Sequence, residues 1–142
     1  MSRITLAHAN KIIEAAFEKA RELSLKPLGV AVLDAGGHPI AFQRQDGAST
    51  GRLQIATGKA SGALFLGISS RKIGDMVADR PIFVASIAPI APAGAIPAAG
   101  GIIVVDDEGN TIGAVGVSGD LSDKDEQCAL AGITAAGLTA QA

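Results

Sequence analysis

The sequence contains no tryptophan and no tyrosine, and only four phenylalanines in 142 residues. Alanine, valine, isoleucine and glycine must therefore fill the core, which predicts close contacts between small side chains. Scarce aromatics and a net charge of −2, from twelve basic and fourteen acidic residues, exclude nonspecific nucleic-acid binding. That mode needs a concentrated basic surface and stacking platforms. The single cysteine, Cys128, excludes an intrachain disulfide and a cysteine zinc cluster. The two histidines are not at helical metal-binding spacing, so no metal site is expected. Residues 81–105 carry no charge at all, but Pro81, Pro89, Pro92 and Pro97 interrupt them. A continuous membrane-spanning helix is therefore not expected there. No apolar core followed by a cleavage site occurs at the N-terminus, and the expectation is a soluble, cytoplasmic protein.

What is present begins with residues 100–126, GGIIVVDDEGNTIGAVGVSGDLSDKDE. Two β-branched apolar runs, 101–105 and 112–117, flank a turn-forming segment, Asp106-Asp107-Glu108-Gly109-Asn110. Gly113 and Gly116 leave room for a close approach to the second strand. Ser122, with Asp125 three residues on, has the pattern of a capping box opening a helix over 122–140. The hairpin is written twice: residues 32–41 align with 104–113, matching Asp34 to Asp106 and Ile40 to Ile112. A shared turn, with aspartate bonding the backbone and glycine in the left-handed position, explains the echo.

At 142 residues the chain suits one domain, 1–142, with a substantial core. Thr5 can cap a helix over 5–24, with Leu6, Ala9, Ile13, Ala16, Ala20 and Leu23 forming one apolar stripe. Strands follow at 28–33 and around 40–44, then a helix over 52–66 with Leu53, Ala56, Ala60 and Ala63 facing inward. A short helix at 71–78, a proline-rich loop, the second hairpin and the last helix complete the order. This pattern reads as α+β, an antiparallel sheet of two similar hairpins with packed helices.

These residues resemble the GlcG/HbpS-like family, which includes the C-terminal domain of PduO-type proteins. The resemblance is carried by Val32-Leu33-Asp34-Ala35-Gly36-Gly37-His38, Phe42, Arg44, Asp46-Gly47-Ala48, Gly58-Lys59-Ala60, residues 113–119 and Asp125-Glu126. The family's Gly-Gly-x-Pro-Ile loop stands here as Gly94-Ala95-Ile96-Pro97-Ala98, a departure that reshapes whatever this loop lines. The resemblance implies a profilin-like sandwich, whose sheet of two hairpins has room for one more strand, homo-oligomers, and haem or another tetrapyrrole or a small organic acid as ligand. It also leaves open a lyase or isomerase acting on a small aromatic, hydroxy or hydroxylamino acid, and a noncatalytic accessory protein of a catabolic pathway.

Among candidate site residues, His8 is the best placed haem ligand, lying on the polar side of the first helix. His38 sits at a turn position matched by Asn110, and Cys128 lies among alanines; Met76 is the remaining choice. Lys59, flanked by Gly58, Ala60, Ser61 and Gly62, is the catalytic or ligand-orienting candidate, and the alternative is an exposed cationic helix face. Arg52, seven residues earlier, shares its side of the helix. With Arg44, the loop residues Gly94, Ala95, Ile96 and Pro97, and Ser118 and Gly119 at a strand end, they form the candidate carboxylate site.

Overall fold

A computed structural model describes residues 2–142. Helix α1, Leu6–Glu22, opens with a reciprocal cap: the Thr5 hydroxyl accepts the His8 N–H at 3.0 Å, and His8 Nδ1 accepts the Thr5 N–H at 3.1 Å. Strands β1, Gly29–Asp34, and β2, Pro39–Arg44, form the first hairpin. Helix α2, Arg52–Leu66, occupies the range its composition predicts. Short helices α3, Ser70–Met76, and α4, Pro81–Ile87, precede the second hairpin, β3, Gly101–Val105, and β4, Thr111–Ser118. Helix α5, Ser122–Ala135, and strand β5, Thr139–Gln141, end the chain.

One five-stranded antiparallel sheet has the order β2-β1-β4-β3-β5. Its pleat sends alternate side chains to two faces. Val30, Val32, Ile102, Val104, Val115 and Val117 pack beneath α1 and α5 with Ile12, Ile13, Cys128, Ala129 and Ile133. Each fully buried valine or isoleucine contributes roughly 1.5–3 kcal/mol, so this face supplies most of the hydrophobic stabilisation. The other face receives α2, through Leu33, Ala60 and Ala114 and through Ala63, Ile103 and Val105. The result is the α+β sandwich expected from the sequence.

Contact on the α2 face is between backbones. A Cβ built on Gly116 would overlap the Ala56 carbonyl, and one on Gly101 would overlap the Lys59 carbonyl. The partner that approaches these strand glycines is therefore a helix. Its small sheet-facing residues, Ala56, Ala60 and Ala63, are what allow the approach.

The two hairpin turns are the same object. Asp34 Oδ1 accepts the N–H groups of Gly36 and His38, at 3.0 and 2.9 Å. Asp106 Oδ1 accepts those of Glu108 and Asn110, also at 3.0 and 2.9 Å. Gly37 and Gly109 take φ values of 83° and 84°.

Several expectations are corrected. The region read as a proline-rich loop contains α4, because Pro81 stands in the first helical turn, where its missing N–H is harmless. The last helix stops at Ala135 rather than near 140: Gly137 turns left-handed at φ 75°, and the tail joins β3 as β5. Ser122 does not cap α5, whose N-cap is Leu121 without a side-chain bond. Leu6 and Leu53, assigned to apolar stripes, are 60 % and 44 % exposed. No helix among the described residues is long and apolar enough to cross a membrane.

Candidate functional site

At the end of the sheet away from the two turns, three sequence candidates, Arg52, Ser118 and Lys59, converge. Arg52, the first residue of α2, donates from Nη1 to Ser118 Oγ at 2.9 Å. The path of Arg52 runs over Gly29, where any Cβ would meet the arginine Cβ at 2.9 Å. Ser118 is buried at the end of β4. Two turns along α2, Lys59 points inward, its side chain 3 % exposed. The alternative of an exposed cationic face is thereby excluded for this residue.

Lys59 Nζ donates to the Val117 carbonyl and to Asp125 Oδ2, both at 3.0 Å. Gly100, at φ 129°, makes room: a Cβ there would lie 2.9 Å from Nζ. Asp125 Oδ1 accepts the Asp120 N–H at 3.0 Å, and Asp120 in turn accepts the N–H groups of Lys26 and Leu121 at 2.8 and 2.7 Å. One polar chain thus ties α2, the end of β4, the start of α5 and the segment before β1 together. Burial pushes the Asp125 carboxyl above its ordinary range, against the pull of Lys59 and of the Asp120 N–H. The half-buried Asp120 goes the other way, held low first by the Lys26 N–H.

Charge is consequently distributed differently from the sequence expectation. Lys59 is neutralised by Asp125, so an acid reaching its ammonium would have to displace a buried carboxylate. Arg52 has no carboxylate partner among the described residues, and Ser118, having accepted from it, keeps its own proton to donate. Asp125 was legible only as a capping residue; its role as counter-ion depends on a contact across 66 residues, for which the sequence carries no local signal.

The remaining candidates lie elsewhere. Ala95 and Ile96 press into notches at Gly62 and Gly58 of α2, and the Pro97 carbonyl lies against Gly74 of α3. Gly94, at φ 87°, turns the chain into this contact. Among the described residues, no side-chain hydrogen bond joins this loop to Arg52 or Lys59. Arg44, exposed at the end of β2, borders an open groove of about 510 Å³ with Phe17 and Arg21. His8 is half-buried and borders a cavity of about 310 Å³ with Arg3, Val105 and Leu138. His38 is exposed beside Asp34 at 3.5 Å, and burial pushes the Cys128 thiol up to about 11.

The family model for the haem degrading protein HbpS-like group matches residues 4–134. A 15.0 kDa protein from the dhaT–dhaS intergenic region of Citrobacter freundii is 34% identical over 125 residues, covering 88% of this chain and 86% of that protein. A crystal structure of a variant of Streptomyces reticuli HbpS is 30% identical, with a TM-score of 0.81, covering 94% of this chain and 87% of the other. The structure of a PduOC:haem complex has a TM-score of 0.86 at 22% identity, covering 99% of this chain and 100% of that one.

Proposed function

The chain belongs to the HbpS-like family, and from that premise we propose that it is an oligomeric small-molecule-binding protein whose ligand is haem. The observation that carries this reading is the family match across residues 4–134, joined to a fold shared with a haem complex. The residues fit such a ligand through one atom. His8 is half-buried, and its Nδ1 is engaged by the Thr5 N–H, which leaves Nε2 as the coordinating nitrogen. In the neutral ring Nδ1 is then the acceptor and Nε2 carries the proton. Coordination through Nε2 therefore requires the tautomer to switch and the cap to open, at about 1 kcal/mol of helix stability. Bound haem would supply redox-active iron; His8 would hold it, and Val105 and Leu138 would shield the ring edge. A cytoplasmic setting suits the lone buried Cys128.

Exposed Ile82, Phe83 and Ile90 in the charge-free segment support self-association. A second reading, binding or lyase-type turnover of a small organic acid, is favoured by one feature: Arg52 is half-buried, fixed by Ser118 and without a counter-ion among the described residues. In that reading Arg52 grips the carboxylate and Lys59, paired with Asp125, holds the end of β4 in place behind it. Thermal-shift titration with haem and with a panel of aromatic and hydroxy acids separates the readings, because a ligand of the native state raises the melting temperature. Stabilisation by haem alone supports the first, and by an acid alone the second. Stabilisation by neither removes both and leaves an accessory role through the apolar segment.

A further inference from the structure

At the opposite end of the sheet from Arg52, a cavity of about 680 Å³ opens between the two hairpin turns and the segment leading into α1. Its floor is apolar: Ile4 and Ile112 are 5 % exposed, and Ile40 is half-buried beside them. Gly113 permits this floor, because a side chain there would collide with Ile4. Nothing on the floor donates or accepts a hydrogen bond, so it suits the hydrocarbon part of a ligand.

The rim has a different character. Asp34 and Asp106 border the cavity from the ends of β1 and β3, the two strands that flank β4, roughly 10 Å apart by strand spacing. In each, Oδ1 is committed to two N–H groups of its own turn, which fixes the plane of the carboxylate. Asp34 Oδ2 has no hydrogen-bond partner among the described residues, and Asp106 Oδ2 has only the Asn110 amide at 3.5 Å. Those turn N–H groups, Asn110 first, hold the half-buried Asp106 carboxyl below its ordinary range, so it is ionised at neutral pH. Against these two negative charges the rim offers one cation, Arg3.

An apolar floor under a net negative rim repels carboxylates and attracts cations. We propose that this cavity, which adjoins the His8 cavity and shares Arg3, Asp106 and Ile112 with it, is a binding site selective for an amphipathic amine: a hydrocarbon body on Ile4, Ile40 and Ile112, with its ammonium on the free oxygen of Asp34 and assisted by Asp106. The repeated turn then has a function besides closing hairpins. It presents two oriented carboxylates at one end of the sheet.

Calorimetric titration of the full chain at pH 7 with hexylamine, hexanol and hexanoate tests this directly. Hexylamine should bind about tenfold or more tighter than hexanol, and hexanoate should not saturate, as expected for a charge-assisted contact over an apolar floor. Asp34→Asn keeps an oxygen for the turn N–H groups while removing the charge. It should abolish the amine preference and leave hexanol binding unchanged. Ile40→Thr should weaken hexylamine and hexanol alike. Equal binding of the three ligands, an amine preference that survives Asp34→Asn, or no binding at all would overturn the proposal.

Discussion

Lys59 and Asp125, on α2 and α5, meet at 3.0 Å with side chains 3 % and 2 % exposed, the one fully buried ion pair among the described residues. Removing one partner strands the other charge in the interior, which costs about 3–5 kcal/mol, whereas replacing both with apolar residues costs far less. Lys59→Met, which from sequence alone reads as a change at a ligand-accessible group, is thus expected to be strongly destabilising. The double change Lys59→Met/Asp125→Leu should recover much of the loss. Urea unfolding of the three variants checks this, and additive losses in the double variant would refute it.

The same pair predicts a pH dependence. Because burial raises the Asp125 pKa above the ordinary 3.8, the folded chain keeps that proton longer than the unfolded chain does. Its contribution is complete below 3.8 and is lost as pH rises through the raised folded value. The stability difference between wild type and Asp125→Asn should therefore decline as pH rises from 3.8. Asp106 and Asp120, both lowered, have the opposite sign. A difference that is flat or increases with pH would contradict the assignment.

The helix-to-sheet contact predicts an asymmetry between glycines. At Gly116 a methyl group meets the Ala56 carbonyl, and overpacking of this kind costs about 1–3 kcal/mol, with the upper end expected against backbone. At Gly109 there is nothing within 4 Å, and only the left-handed φ of 84° resists substitution, at about 1–2 kcal/mol. Gly116→Ala should be the more damaging change in thermal melts, and the reverse order would count against close α2 packing.

Much of this fold is written locally. The turn at Asp34 repeats at Asp106 because one aspartate oxygen can hold two N–H groups of a tight turn, a signal contained within five residues. The bounds of α2 were equally legible. The α5 start was legible at Ser122, but its cap was misread because Ser122 and Asp125 have the spacing of a capping box, while Asp125 is claimed by Lys59 and by the Asp120 N–H. Position 137 looked like one more residue of a long alanine-rich helix; its glycine instead ends the helix and frees β5 to pair with Val104 and Val105. The candidate carboxylate site was half legible. Shared helix phase joined Arg52 to Lys59, but the loop at Gly94–Pro97 is drawn to Gly58 and Gly62 instead, because those notches admit Ile96 and Ala95.

Self-association should depend on the exposed apolar surface after α3. Ile82 and Ile90 are 84 % and 67 % exposed, and placing charge there penalises any dry contact between copies. Multi-angle light scattering should show an oligomer for the wild type and a lower mass for Ile82→Asp/Ile90→Asp. An unchanged mass would move the interface elsewhere, and a monomeric wild type would remove it.

The central claim, that haem is the ligand, is tested most directly by absorbance titration of the purified protein with haem, beside His8→Ala. The account predicts a saturable shift of the Soret band in the wild type and an altered band in His8→Ala, since among the described residues His8 is the half-buried histidine. A wild-type spectrum that shows only free haem at every ratio would contradict it.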